Sequence, residues 1–276
     1  MIPADFSRDL AAGRAASVQL LLDGTDSNTA TTILGYARAV AASAGVRLAA
    51  REGPADGRAF RAGIDFRPRI WYNPELESSY FLIPGLIGFV MMLTAVLSTA
   101  LSVVREKERG TLEQLRVAPL TTVELLLGKT LPYLGTTLMA VVLILFGARW
   151  LFGLEVQGSY LALLAATVIF LFGALGWGLF VSTLADNQAT AFQLGIWSAL
   201  LPTLILSGFV FPIRNMPFLL QLLSHIVPAR YYLVVLRGVV LKGAGLAPYW
   251  EEMTAMALYS VVVLGLTALR FTRETA

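Results

Sequence analysis

The sequence contains no cysteine and a single histidine, His225. Disulfides and thiolate metal sites are thereby excluded, and one imidazole cannot build a histidine-based zinc site. Charge is scarce as well, at 14% of 276 residues, and the net charge of +3 comes from basic residues that are scattered or set at segment edges. That distribution does not imply nucleic-acid binding. The motifs of soluble enzymes are also missing. Gly128-Lys129-Thr130 resembles the tail of a phosphate-binding loop, but Val123 stands where that loop requires glycine. No Gly-x-Ser-x-Gly elbow surrounds Ser207, so an intramembrane hydrolase built on Ser207 and His225 is a weak alternative to structural roles for both. No catalytic residue and no metal ligand set is assigned.

What the chain has in excess is apolar surface. Hydrophobic residues make up 57% and mean hydropathy is +0.70, more than a soluble core needs. The pattern predicts a polytopic α-helical membrane protein. Five apolar runs read as spans, at about 80–104, 131–152, 160–184, 189–206 and 253–269. Pro84-Gly85 lies at the outer end of the first and Gly88 on a face that can pack closely. Pro132 predicts a kink or break near the start of the second, Gly173, Gly176 and Gly178 give the third a smooth face, and Pro202 interrupts the fourth. The segment 207–252 holds two amphipathic stretches, Phe218 to Val227 and Tyr231 to Val240, which are too short or interrupted to span. They are expected to re-enter or to lie at the interface as an outer lid.

Residues 1–79 differ in kind, with nine basic and nine acidic residues and no run long enough to cross a bilayer. They read as an extracytoplasmic α/β domain. Val18 to Leu22, Val46 to Ala50 and Ile64 to Tyr72 are expected as strands, with a helix from Thr25 or Asp26 to Gly45 between the first two. Asp23-Gly24-Thr25-Asp26 lacks calcium-loop spacing and reads as a turn with a helix cap. Met1-Ile2-Pro3 looks like the end of a strand. Glu251 and Glu252 suit the N-terminus of the last span better than a proton relay, and no acid lies mid-span.

The densest charge sits between the first two spans, in Arg105-Glu106-Lys107-Glu108-Arg109-Gly110-Thr111-Leu112-Glu113-Gln114-Leu115-Arg116-Val117-Ala118-Pro119. Gly110 interrupts a charged helical extension. Thr111 with Gln114, and Thr121 with Glu124, have capping-box spacing, so a short helix with Leu112 and Leu115 on one side is expected, stopped by Pro119. One reading is a solvated, salt-bridged connector; the other is a docking helix for a cytosolic partner. Five basic residues between Arg105 and Lys129, with Arg270 and Arg273 after the last span, place this loop and the C-terminus in the cytoplasm and the N-terminal domain outside. Arg214, Arg230, Arg237 and Lys242 on the longer outer segment oppose that assignment.

This charged loop, with Gly128-Lys129 after it, closely resembles the cytoplasmic loop of ABC-2 type exporter permeases, a group that includes drug and polysaccharide exporters. Asn73-Pro74-Glu75-Leu76 leading into Phe81-Leu82-Ile83-Pro84-Gly85, and Ser207-Gly208-Phe209-Val210-Phe211-Pro212, extend the resemblance over nearly the whole chain. It implies a bacterial inner-membrane permease subunit that exports an amphiphilic, drug-like or lipid-like substrate by alternating access. It also implies a first transmembrane helix before the outer domain, which this chain is expected to lack. ATP and Mg would bind a separate cytosolic ABC ATPase, not this chain. Further partners implied are a second permease copy or paralogue, membrane lipid and a periplasmic adaptor, with no nucleic acid. Arg105, Glu106, Glu108, Gly110, Thr111, Leu112, Glu113, Leu115 and Pro119 would form the ATPase-coupling element. Pro84, Gly85, Gly88, Pro202, Ser207, Gly208 and Pro212 would serve helix packing or gating. A non-transporting scaffold or sensor is the alternative from another class.

Overall fold

The computed structural model describes residues 2–11, 16–51, 64–111 and 122–275. The chain forms two compact units, Met1–Phe81 and Leu82–Ala276.

In the first unit, α1 (Phe6–Ala11) precedes β1 (Ala16–Asp23), α2 (Ser27–Arg51) and β2 (Ile64–Trp71). The strands pair in parallel from Ala16 with Ile64 to Asp23 with Trp71, which requires a crossover, and α2 supplies it. Asp23 accepts hydrogen bonds from the Thr25 amide (3.0 Å) and hydroxyl (2.6 Å), while Asp26 accepts from the Thr29 amide at 3.1 Å and so caps α2. Gly24 is needed between them, because a Cβ there would lie 2.7 Å from Ile70 Cγ2 and 2.9 Å from the carbonyl oxygens of Trp71 and Asn73.

The expected layered α/β domain is not what forms. Among the described residues the sheet has two strands, and the expected strand Val46 to Ala50 belongs to α2, which continues through Gly45. Alanine-rich sequence around Gly45 favours helix, and the unit's few apolar residues do not form a broad layer for more strands to cover: Tyr36, Val40 and Val46 are all exposed. Ile2 and Pro3 are not part of a strand.

The second unit is a helical bundle. Following α3 (Ser78–Glu108) come α4 (Thr122–Phe152), α5 (Tyr160–Leu184) and α6 (Gln188–Leu206). Then α7 (Phe218–Ser224), α8 (Pro228–Lys242) and α9 (Trp250–Thr275) complete it. Among the described residues five helices, α3, α4, α5, α6 and α9, are long and apolar enough to cross a membrane, and α7 with α8 would make a sixth if that bent pair is one span. Glu251 and Glu252 fall in the first turn of α9. Among the described residues α4 runs unbroken through Pro132, so the expected break between an interfacial helix and a span is absent.

The centre of the bundle is α5. Its glycines are the reason: a Cβ on Gly173 would lie 2.9 Å from both Ser260 Oγ and Tyr259 Cδ1, and one on Gly176 would lie 3.0 Å from Leu264. These two admit α9. Gly178 admits α3, since a Cβ there would fall 1.9 Å from Thr99 Oγ1 and 2.5 Å from the Val96 carbonyl. Close backbones let hydroxyls bridge helices, with Thr99 donating to the Leu175 carbonyl at 3.3 Å and Ser260 to that of Ile169 at 3.1 Å. In lipid such packing and bridging substitute for the hydrophobic drive between helices, each bridge contributing about 0.6 kcal/mol.

α8 carries the second of the two amphipathic stretches. It packs against α5 and α9, with the buried Tyr232 ring stacked on Phe170 at 4.3 Å and its hydroxyl 3.0 Å from Thr167 Oγ1. α7 meets it at a bend of 82°. The two amphipathic stretches therefore form one pair of helices broken at a sharp bend. By contrast α4 is peripheral, with 17% of its apolar window buried against 61% for α5.

Candidate functional site

Where α3 passes from apolar to charged sequence, its end is fastened to the turn between α5 and α6. Gly110 closes the helix in the left-handed conformation at φ 70°, with its amide donating to the Lys107 carbonyl at 3.2 Å. One turn earlier, Lys107 and Glu108 reach in complementary directions. The Lys107 ammonium donates to the carbonyl of Ala185, the residue that ends α5, at 3.2 Å and lies 3.6 Å from Asp186 Oδ1. The Glu108 carboxylate accepts from the backbone amide of Gln188 at 2.7 Å and from its side-chain amide.

A cation thus meets the carbonyl end of α5 and an anion meets the amide end of α6, which is the arrangement helix dipoles favour. Arg105 Nε adds a hydrogen bond to Gln188 Oε1 at 3.3 Å, and Asn187 caps α6 by accepting from the Thr190 amide at 2.9 Å. Beneath this polar layer Val104 packs with Ala185 and Ala191. On another side of α3, Glu106 forms an ion pair with Lys129 of α4. Thr111 donates its hydroxyl to the Glu106 carbonyl at 3.3 Å.

Of the coupling residues read from sequence, Arg105, Glu106, Glu108, Gly110 and Thr111 gather here. Leu112, Glu113, Leu115 and Pro119 lie outside the described residues, as does the Gln114 half of the capping box. The partners Lys129, Ala185, Asp186 and Gln188 were not read as site residues. Opposite charge and a short α5–α6 turn were visible; a pairing some eighty positions apart in sequence was not.

The packing residues gather elsewhere. Gly85 and Gly88 are tight: a Cβ would lie 2.1 Å from the Phe209 ring and 2.7 Å from Leu233, respectively. Pro84 lies within α3, and Pro202 within α6. After α6, the Ser207 hydroxyl donates to the Thr203 carbonyl and accepts from the Phe209 amide, so it terminates the helix. Gly208 takes φ 80°, its carbonyl accepts from Arg237 at 3.0 Å, and Pro212 leads into a short 3-10 turn, Ile213–Asn215. His225 Nδ1 lies 2.9 Å from the Gln221 carbonyl oxygen and 3.0 Å from Arg230. Ser207 and His225 each serve their own turn, which disfavours the hydrolase alternative.

A partly open pocket of about 240 Å³ is lined by residues of α3, α5, α6, α7, the α7–α8 bend and α9, among them Met92, Trp177, Pro202, Val227 and Tyr259. Its lining is almost wholly apolar. Trp177 Nε1 donates to Ser198 Oγ at 3.1 Å across it. Thr203, also in the lining, is 1% exposed and its Oγ1 has no hydrogen-bond partner.

Comparison with known proteins bears on the whole chain. The family model described as "ABC-2 family transporter protein" matches residues 1–269. The chain is 34% identical over 275 residues to the probable multidrug ABC transporter permease YbhS of Escherichia coli, covering 99% of this chain and 72% of that protein. It is 34% identical over 251 residues to the probable multidrug ABC transporter permease YbhR of the same organism, covering 91% and 66%. The inner membrane transport permease YhhJ of Escherichia coli is 28% identical over 277 residues, covering 98% and 71%.

Proposed function

Because the chain belongs to the ABC-2 transporter family and is a membrane-embedded permease subunit, we propose that it exports an amphiphilic, drug-like or lipid-like substrate by alternating access driven from the charged end of α3. The observation that carries this reading is the fastening of that end to the α5–α6 turn. A force applied to Arg105–Thr111 would move three helices together: α3 directly, and α5 and α6 through Lys107 and Glu108. A solvated connector would have no need to hold the ends of two other spans.

The force would come from a separate cytosolic ABC ATPase that carries ATP and Mg. Residues 112–119, with Leu112, Glu113, Leu115 and Pro119, would form the docking surface between the α3 end and α4. The basic residues of this loop support a cytoplasmic position for it and for the C-terminus. Two permease copies, or this chain and a paralogue, would enclose the pathway, since five spans make too small a bundle to surround one. Membrane lipid and a periplasmic adaptor complete the set of proposed partners. The permease relatives do not favour the scaffold reading.

Glu113→Arg and Leu115→Asp are expected to leave the subunit folded and membrane-inserted while uncoupling ATP hydrolysis from export. Unchanged transport by both variants would overturn the coupling assignment.

A further inference from the structure

Between Asn187 and Trp250 the chain has no aspartate or glutamate, yet it carries Arg214, Arg230, Arg237, Lys242 and its only histidine. Two of these, His225 and Arg230, meet at the α7–α8 bend. Arg230 Nη1 donates to the Gln221 carbonyl at 3.3 Å, to the Ser224 hydroxyl and to His225 Nδ1 at 3.0 Å. A cation at the carbonyl end of α7 is favourable, and this one nitrogen is enough to cap it. Nε and Nη2 of Arg230 and Nε2 of His225 make no hydrogen bond among the described residues, and no described carboxylate lies within ion-pair distance of Arg230.

The bend lies inside the bundle. Just beyond it, Tyr232 stacks on Phe170 and its hydroxyl is 3.6 Å from Met91 Sδ, near the middle of α5 and α3. From Arg230, α8 rises about 15 Å to Val240, whose carbonyl accepts from the Gln157 amide in the α4–α5 loop at 3.0 Å. An arginine set that far along the spans, with no carboxylate beside it, is costly, and such residues mark the routes of charged substrates or ions. Nor is the pair sealed off: Arg230 is half-buried and His225 exposed. Beside them Phe218, Leu222 and Ile226, at helical spacing, expose one apolar face.

We infer that the α7–α8 bend binds the anionic head of an amphiphile, its oxyanion held by Arg230 Nε and Nη2 with His225 Nε2 as a second contact and its tail laid along Phe218, Leu222 and Ile226. A carboxylate, sulfate or phosphate matches the planar fork of a guanidinium. The positive end of the α8 dipole adds to the attraction, because Arg230 stands in the first turn of that helix. This deepens the export reading and rests on it for the word substrate: the cargo is an anionic amphiphile, not a neutral one. Binding itself requires no ATPase.

Two sources share the chemistry, a diffusible amphiphile and a phospholipid headgroup. The full chain is therefore purified in dodecyl maltoside and titrated with dodecyl phosphate, phosphatidylglycerol and neutral dodecanol, bound molecules being counted by native mass spectrometry. The expected result is one saturable adduct with dodecyl phosphate or phosphatidylglycerol, about 10-fold or more tighter than with dodecanol. Arg230→Gln should weaken it about 10-fold and His225→Phe about 3-fold; Lys242→Gln, at the far end of α8, should not.

Preference for dodecyl phosphate identifies a diffusible guest, and preference for the lipid identifies a phospholipid headgroup. Equal affinity for dodecanol, or unchanged binding by monodisperse Arg230→Gln, would overturn the site. If Arg230→Gln is not monodisperse, the double variant Arg230→Lys with His225→Phe, which keeps a cation for the α7 cap, should still bind about 3-fold more weakly; unchanged affinity there would also overturn it. Absence of binding in a chain that retains and couples an ATPase would leave the export reading standing, and binding by a chain that retains none would leave the site standing.

Discussion

The contact of α3 with α5 and the clasp at the charged end of α3 lie on one helix and are built from opposite materials. Along the span, Gly178 brings backbones so close that Thr99 reaches across to Leu175, and the contact is dry and buried. At the end, Arg105, Lys107 and Glu108 hold the α5–α6 turn through long, largely exposed side chains. Close packing has few alternative arrangements and transmits displacement; exposed ion pairs are weak individually and can exchange partners. A permease driven from the charged end of α3, as proposed, needs both, a stiff lever and an adjustable grip.

The strongest way to break this contrast is Gly178→Val. Its Cβ would meet a hydroxyl and a backbone carbonyl, so stability should fall by about 3 kcal/mol or more, read as loss of a monodisperse peak and of thermal unfolding cooperativity in detergent. Next is the Glu106–Lys129 pair, whose side chains are 29% and 17% exposed. A double-mutant cycle with Glu106→Gln and Lys129→Met should give a coupling of about 1 kcal/mol, above that of open surface pairs. A coupling indistinguishable from zero would place it with the exposed clasp.

Glu108→Ala sharpens the contrast from the other side. It should leave thermal stability nearly unchanged and yet reduce any stimulation by substrate of the proposed partner ATPase. A large stability loss with normal stimulation would mean that the clasp is structural only. The smallest effect is expected at Gly147→Ala in α4, where a Cβ meets nothing within 4 Å. Thermal stability should stay level or rise by about 0.5 kcal/mol, showing that glycine in this bundle matters only where helices meet.

The spans could be read because hydropathy is a local property: each of the five long apolar helices advertises itself. So could the turn at Asp23–Asp26 and the carboxylates opening α9, which depend on neighbours a few positions away. Val46 to Ala50 misled because a short apolar run suits helix and strand alike, and only its continuity with α2 decides it. In the Phe218 to Val240 region, amphipathic patterning does not say whether the apolar face meets lipid or, as for Tyr232, another helix. Part of the candidate site was legible, the charged segment itself. Its grip on Ala185, Asp186 and Gln188, and the pocket around Thr203, depend on tertiary pairing that one sequence does not display.

The account stands on the charged end of α3 and residues 112–119 being where an ATPase docks. The direct measurement is co-expression of the chain with the ATPase, purification in detergent, and comparison of wild type with Leu115→Asp for retained ATPase and its activity. Wild type should retain an active ATPase and Leu115→Asp should lose it while staying monodisperse. Equal retention and equal activity in the two would contradict the coupling site.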